Sequence, residues 1–334
     1  MGDVTGSDGS ALGGDLPLSA SAAAGSARLG ALRAQRTHPA TLWFGPTYGV
    51  MEHTDAGWLM SGMSDPTPQE ARDGLGWWFR VLARRRSTDE VAREEYWAAS
   101  ALLEEERLNE MVVAGRHLRV VRADQFVRYG LTGPEPPRST DPDTDTAAGC
   151  PGGVRRGVDK LTGGLLGPAR TPGSAALLGE RWEVVPKGPM VPPGVTRDAQ
   201  EALTTHPRIV MLSTRFAVAQ QEDGYWPAQT VATSSPQEAR MALATYFDKI
   251  APVMLQPSPA ELAEFHKAAR LLEREQINQL TVAGRRFRII RVETVVRVGP
   301  DGPETPRPSD HDPDPPLTGE TAELRTWDLI DDET

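Results

Sequence analysis

The sequence predicts an α+β protein made of two copies of one unit, α-β-β-α-α-β-β, forming a pseudo-dimer within the chain. Three observations predict it. The stretch "VAGRHLRVVRAD" from Val113 to Asp124 returns as "VAGRRFRIIRVE" from Val282 to Glu293. "PQEAR" stands at Pro68–Arg72 and again at Pro236–Arg240. "GPEPPR" at Gly133–Arg138 returns as "GPETPR" at Gly302–Arg307. The early matches, from His38 against His206, keep an offset of 168, and those from Leu102 against Leu271 keep 169. One residue is therefore inserted within Arg85–Glu95 or its counterpart. Ordered matches over about a hundred residues mark a tandem duplication, with a period too long for a solenoid of ~20–50-residue units. Two like units of domain size suggest a pseudo-two-fold axis, as in symmetric homodimers.

Each unit opens on a short polar helix, "SARLGALRAQRTHP" or "RDAQEALTTHP", stopped at His-Pro because proline disfavours a helical residue before it. Two strands follow, "TLWFGPTYGVM" and "GWLMSGM" in the first unit, "RIVMLSTRFAVA" and "YWPAQTVA" in the second. The next helix is expected to open at Ser64/Asp65 or Ser234/Ser235, with Pro and Glu in its first turn. It carries Leu75, Trp78, Phe79 and Leu82, or Leu243, Tyr246, Phe247 and Ile250, at the spacing of a buried stripe. A second helix is expected over Glu94–Glu110 and Ala260–Leu280. A hairpin then turns at Ala114-Gly115 and Ala283-Gly284, where glycine supplies positive φ.

These elements divide the chain into a polar arm over 1–25, a first unit over 26–139, a Gly/Pro-rich connection over 140–192, a second unit over 193–316 and an acidic tail over 317–334. The arm and tail read as disordered, the latter from the "DPDPP" that starts at Asp312. The connection reads as a linker that tolerates separate motion of the units and docks through 161–166 or 177–182.

Composition narrows the function. The 334 residues are 39% hydrophobic, with 32 Gly and 29 Pro, as fits compact cores with long polar connections. A net charge of −10 opposes a general nucleic-acid or anionic-membrane binder. The single cysteine, Cys150, makes no internal disulfide and has no histidine near it in sequence. No apolar run approaches the ~18 residues of a membrane span, and the start lacks the basic and apolar regions of a signal peptide. The chain reads as cytoplasmic.

No phosphate loop, dinucleotide fingerprint, nucleophile elbow or HExxH occurs, and the six histidines lack metal-ligand spacing. No catalytic residue, metal or cofactor is assigned. His38 and His206 read as polar caps where their helices stop. The richest shared polar set is Glu106 and Asn109 on one helix face, repeated as Glu275 and Asn278, followed by Arg116, Arg119 and Arg122, repeated as Arg285, Arg288 and Arg291. Strand parity puts Arg116, Leu118, Val120 and Arg122 on one face, Arg119 and Val121 on the other. One reading is a pocket for a small anion, since arginine binds carboxylate and phosphate bidentately. The favoured reading is local Glu–Arg pairing, with Arg stems covering apolar surface. Trp77 is the other candidate: its counterpart is Thr245, so the core stripe does not need it, and a helix-borne Trp reads either as a partner anchor or as packing against the connection or the other unit.

"TPQEARDGLGWWFRVLA", "VAGRRFRIIRVETVVRVGPDGPETPRPSDHDPDPP" and the doubled "THP" resemble an actinobacterial domain-of-unknown-function family, number 5954, over roughly residues 30–318. The resemblance implies the architecture and a cytoplasmic setting, and no activity. The expectation is a non-enzymatic interaction protein whose partner is another protein. The alternative is an anionic-ligand or catalytic cleft between the units. A cleft would gather both Arg sets around one cavity; an interaction protein would leave them outward or locally paired.

Overall fold

The computed structural model describes residues 29–141, 143 and 191–317, except 56, 87 and 231. The 1–25 arm, Cys150, both docking segments and the tail beyond Leu317 lie outside the described residues. The fold is α+β, with helices and antiparallel strands in each half of the chain.

The N-terminal half runs through helix α1 (29–37), strands β1 (Ala40–Thr54) and β2 (Gly57–Asp65), helices α2 (Pro68–Arg84) and α3 (Glu90–Glu105), and strands β3 (Glu110–Val113), β4 (Arg116–Gly130) and β5 (Gly133–Pro134). The C-terminal half runs through α4 (Pro193–Thr205), β6 (Arg208–Met211), β7 (Arg215–Gln220), α5 (Pro236–Thr245), a π turn (Tyr246–Ile250), α6 (Ala251–Leu255), α7 (Pro259–Arg274), β8 (Gln279–Val282), β9 (Arg285–Gly299) and β10 (Gly302–Pro303). Among the described residues, the predicted second strand of this half, "YWPAQTVA", forms only isolated bridges, Ala219 with Ala228 and Glu222 with Tyr225.

Helix α2 starts later than the sequence predicts, because β2 extends through Ser64 and Asp65. Thr67 is its N-cap, accepting from the Glu70 amide, and Ser235 caps α5 by accepting from Glu238. Leu75, Phe79 and Leu82 are buried, as are Leu243 and Phe247, while Trp78 and Tyr246 lie half-buried against the same clusters. Ile250 departs from the predicted stripe and is 44% exposed. The cause is the π turn, in which the Ala251 amide donates to Tyr246. Pro252 follows it, and a proline ring clashes with the carbonyl four residues before it, so the helix widens there and its face rotates.

Helices α3 and α7 end at Glu105 and Arg274, well before the predicted Glu110 and Leu280. Their C-caps Glu106 and Glu275 are extended, as the chain reverses into β3 and β8. At the hairpin turns both central residues have positive φ, Ala114 as well as Gly115 and Ala283 as well as Gly284. The Glu95 and Glu264 carboxylates accept from the Ala114 and Ala283 amides, which helps hold alanine in a conformation that favours glycine.

Rather than two separate small sheets, all ten strands join one antiparallel sheet, along β10-β9-β4-β1-β2 with β3, β5, β6, β7 and β8 flanking. The halves meet where β4 pairs with β9, Ala123 opposite Val296 through Phe126 opposite Glu293. Within that register Gln125 faces Thr294, and these positions are 169 apart, the offset of the sequence matches. Alternation along each long strand sorts the core. Leu118 and Val120 pack under α2 and α3, and Phe287 and Ile289 under α5 and α7. Their neighbours Val121 and Ala123, and Ile290 and Val292, join clusters drawn from both halves.

Candidate functional site

Of the predicted arginines, Arg119, Arg122, Arg288 and Arg291 converge on the junction between halves, and each meets there a group from the opposite half as well as partners of its own. After β5 and after β10 the chain leaves its own half as an arm. At Arg122 the β4 amide donates to the Glu304 carbonyl, and the Glu304 amide donates to Arg297, so the C-terminal arm is wedged between β4 and β9. Glu135 does the same from the other side, accepting from the Arg291 amide and donating to Arg128.

Side chains repeat the exchange. Arg122 Nε lies 3.1 Å from both oxygens of Asp310, and its Nη1 is 2.8 Å from Asp124. Arg291 Nε lies 3.3 and 3.2 Å from the oxygens of Asp141, with Glu293 on Nη1 and Thr214 Oγ1 2.8 Å from Nη2. Arg119 donates to the Pro303 carbonyl and to Glu110, and stacks 4.9 Å over Trp58; Arg288 donates to the Pro134 carbonyl and to Gln279, and stacks 4.8 Å over Trp226. Glycine is required at the start of each arm. Gly302 (φ +123°) and Gly133 (φ +107°) lie so close to Trp58 and Trp226 that a Cβ would come within 2.7 Å of the indole nitrogen.

A second contact lies deeper in each half, where the candidates Asn109 and Asn278 meet residues that sequence reasoning did not single out. Arg72 Nη1 is 2.7 Å from Asp312 and donates to Gln69, while its Nε and Nη2 donate to Asn109 Oδ1. Arg240 donates to Gln237, Asn278 and Asp143. Asp312 also accepts from the Gln69 amide in the first turn of α2, where a helix favours a negative charge. The doubled "PQEAR" supplied the signal for Gln69, Arg72, Gln237 and Arg240. Asp141 and Asp143 fall in the segment the sequence assigned to the linker, and Asp312 in the stretch expected not to fold; all three are anchored.

The remaining candidates separate. Asn109 and Asn278 accept the helix arginines, and their backbone carbonyls accept from Val120 and Ile289. Glu106 and Glu275 are exposed helix C-caps and share no helix face with them. Arg116 forms a bidentate pair with Glu52, at 2.8 and 2.6 Å. At the counterpart of Glu52 stands Gln220, and among the described residues Arg285 makes no such pair. Trp77 is half-buried, and its indole nitrogen has no hydrogen-bond acceptor among the described residues. His206 caps α4, and Thr37 and Thr205 contact the Nδ1 atoms of His38 and His206 at 2.9 Å.

The electrostatics fit a closed lock. Burial raises the Asp124 carboxyl, but Arg122, Arg307 and the Trp43 indole N–H outweigh it and hold the group below its ordinary range. Burial opposes the Arg122 charge, and Asp124, Asp310 and Glu304 more than restore it. At Arg291 burial prevails over Asp141 and Glu135 and lowers the group, yet arginine remains charged throughout. A half-open cleft of about 540 Å³ adjoins the N-terminal cluster, and its lining includes Trp43, Pro46, Pro192, Pro313, Arg122, Arg307 and Asp310. Those three charges are bonded to one another or to Glu304 and Asp124. Among the described residues no group of three or more His, Cys, Asp or Glu side chains is placed to hold a metal ion, and no helix is long and apolar enough to cross a membrane.

No curated protein and no solved structure matches the chain. Residues 21–313, which take in both halves, both arms and the lock between them, match one family, and the chain belongs to it: the family of unknown function DUF5954.

Proposed function

We propose that the chain is an intrachain pseudo-dimer, produced by tandem duplication of one α+β unit over 26–139 and 193–316, and that it works as a non-enzymatic interaction protein in the cytoplasm. One observation carries this reading: each of Arg119, Arg122, Arg288 and Arg291 gives donors to a carbonyl or carboxylate of the opposite half, and most of their other donors go to partners in their own half. An anion would have to displace those partners. The β4–β9 register supports the pseudo-two-fold arrangement, since one of its two middle pairs, Gln125 opposite Thr294, joins positions 169 apart.

The outward faces support a role in contact. Where the halves lock, most positions keep the same residue type, as Arg122 and Arg291, Asp310 and Asp141, and Trp58 and Trp226 do. Where they face outwards, they differ. The end of α2 carries Arg84 stacked over Trp97 and Arg85 stacked over Trp78. The corresponding end of the C-terminal half presents Val253 and Met254, 75% and 72% exposed. Two different faces on a shared frame fit two different protein contacts.

Thermal melts against phosphate, ATP and citrate test the reading. It predicts no stabilisation of wild type. A shift in wild type that disappears in Arg119→Ala or Arg288→Ala would favour the anion site instead. In parallel, proteins captured from native lysate should be lost on Val253→Asp/Met254→Asp or Trp97→Ala without a change in melting. Capture unaffected by either change would oppose the role given to these faces.

A further inference from the structure

The N-terminal half holds a pair of histidines that sequence spacing does not reveal. His53 on β1 and His117 on β4 are direct cross-strand partners, with ring centroids 5.8 Å apart. Both rings lean on Trp58, at 5.1 and 5.2 Å. His53 is exposed, and among the described residues its ring makes only these ring contacts. His117 Nε2 is held by Glu110 Oε1, and Glu110 is itself gripped by Arg119 at 3.0 Å through both oxygens.

From this arrangement we propose that His53 and His117 form a two-imidazole site for a divalent transition-metal ion of the Zn²⁺ or Ni²⁺ kind, with Glu110 orienting His117 and water completing the coordination. A metal-bound histidine characteristically gives its other ring nitrogen to a carboxylate, which fixes the tautomer and raises ligand basicity. Glu110 stands in that position. Its carboxylate is fixed there by Arg119, whose Nη2 lies 3.0 Å from both oxygens, so it is held in place as the acceptor this role needs. Two imidazoles bound to one ion, with metal–nitrogen bonds of about 2.0–2.1 Å, have ring centroids about 4.5–5.2 Å apart. Small rotations of two half-free rings close 5.8 Å to that range. Imidazole nitrogens select zinc, nickel and copper over the hard ions calcium and magnesium.

The C-terminal half supplies an internal comparison. At the positions of His53, His117 and Glu110 it carries Gln221, Arg286 and Gln279, none of which suits such an ion. There Arg286 bonds Gln221 at 3.3 Å and stacks over Trp226 at 5.5 Å, so the same framework accepts both residue sets. That provides substitutions the fold already tolerates: His53→Gln, His117→Arg and Glu110→Gln.

Isothermal titration of the full chain with Zn²⁺ and Ni²⁺, with Mg²⁺ as control, tests the site, and Co²⁺ absorption reports imidazole ligation directly. The expected result is one ion per chain, a loss of at least tenfold in affinity in either histidine variant, a smaller loss in Glu110→Gln, and no Mg²⁺ uptake. His311→Gln should bind as wild type does. Melting of each variant within a few degrees of wild type would show that the losses are not unfolding. No uptake by wild type, or uptake unchanged in both histidine variants, would overturn the site. Unchanged affinity in Glu110→Gln would overturn the orienting role.

Discussion

Removing the carboxylate charge of Asp310 should unlock the C-terminal arm from the N-terminal half. Asp310 accepts from Arg122 Nε at 3.1 Å through both oxygens and from the Arg307 amide at 2.8 Å, and the Asp310 and Arg122 side chains are only 6% and 2% exposed. Breaking a buried pair by removing one partner costs about 3–5 kcal/mol, because the other charge stays behind without its counter-ion. Here Asp124 remains 2.8 Å from Arg122, which lowers the expected cost of Asp310→Asn to about 2–4 kcal/mol. The reciprocal change, Asp141→Asn, removes the same contacts at Arg291 and Arg138 and should cost a similar amount. Urea unfolding measures both, and with a slope of about 2 kcal/mol per molar each should lower the midpoint by about 1–2 M. Arg107→Ala serves as control, since that side chain is 44% exposed in its pair with Asp312 and should cost less than about 1 kcal/mol. Costs below about 1 kcal/mol for both aspartates would refute the reasoning, because the arms would then not be held by their buried charges.

Arg116→Ala should cost about 1–2 kcal/mol through its half-buried pair with Glu52, and Arg285→Ala under about 0.5, as urea midpoints will show. Equal costs would mean that Glu52 is not what distinguishes them. Gly302→Ala and Gly133→Ala should each destabilise by at least about 2 kcal/mol, combining a strained positive φ with a clash on Trp58 or Trp226, read by thermal melting. Asp124, Glu52 and Glu110 have lowered carboxyl pKa values in the fold, so the stability they contribute is complete above their unfolded values near about pH 4 and is lost as pH falls through the folded ones. Urea midpoints measured from pH 6 to pH 2 should fall in that acid window, and less steeply in Asp124→Asn.

Much of the fold could be read from local pattern. The i, i+3, i+4, i+7 spacing identified Leu75, Phe79, Leu243 and Phe247, and glycine placed both hairpin turns. Ile250 was misread because a proline two residues later changes the helix type, which hydrophobic spacing does not report. Glu106 and Asn109 were misplaced because good helix formers continue past the point where pairing of β3 ends the helix. The lock was only half legible. The sequence repeats both Arg122/Asp141 and Arg291/Asp310, so either aspartate matches either arginine, and strand and turn preferences are the same for both choices. Only the path of the arms across the β4–β9 junction decides that Asp141 meets Arg291 and Asp310 meets Arg122. The histidine pair was hidden for a related reason, since cross-strand neighbours 64 positions apart leave no spacing motif.

The central claim is that the two halves are interlocked by their exchanged arms, and native-state hydrogen exchange on peptides from β4 and β9 tests it most directly. The account predicts that both strands open with the same free energy, and that Asp310→Asn lowers protection in β9 as well as in β4. Opening of one strand at markedly lower free energy than the other, or an effect of Asp310→Asn confined to β4, would contradict it.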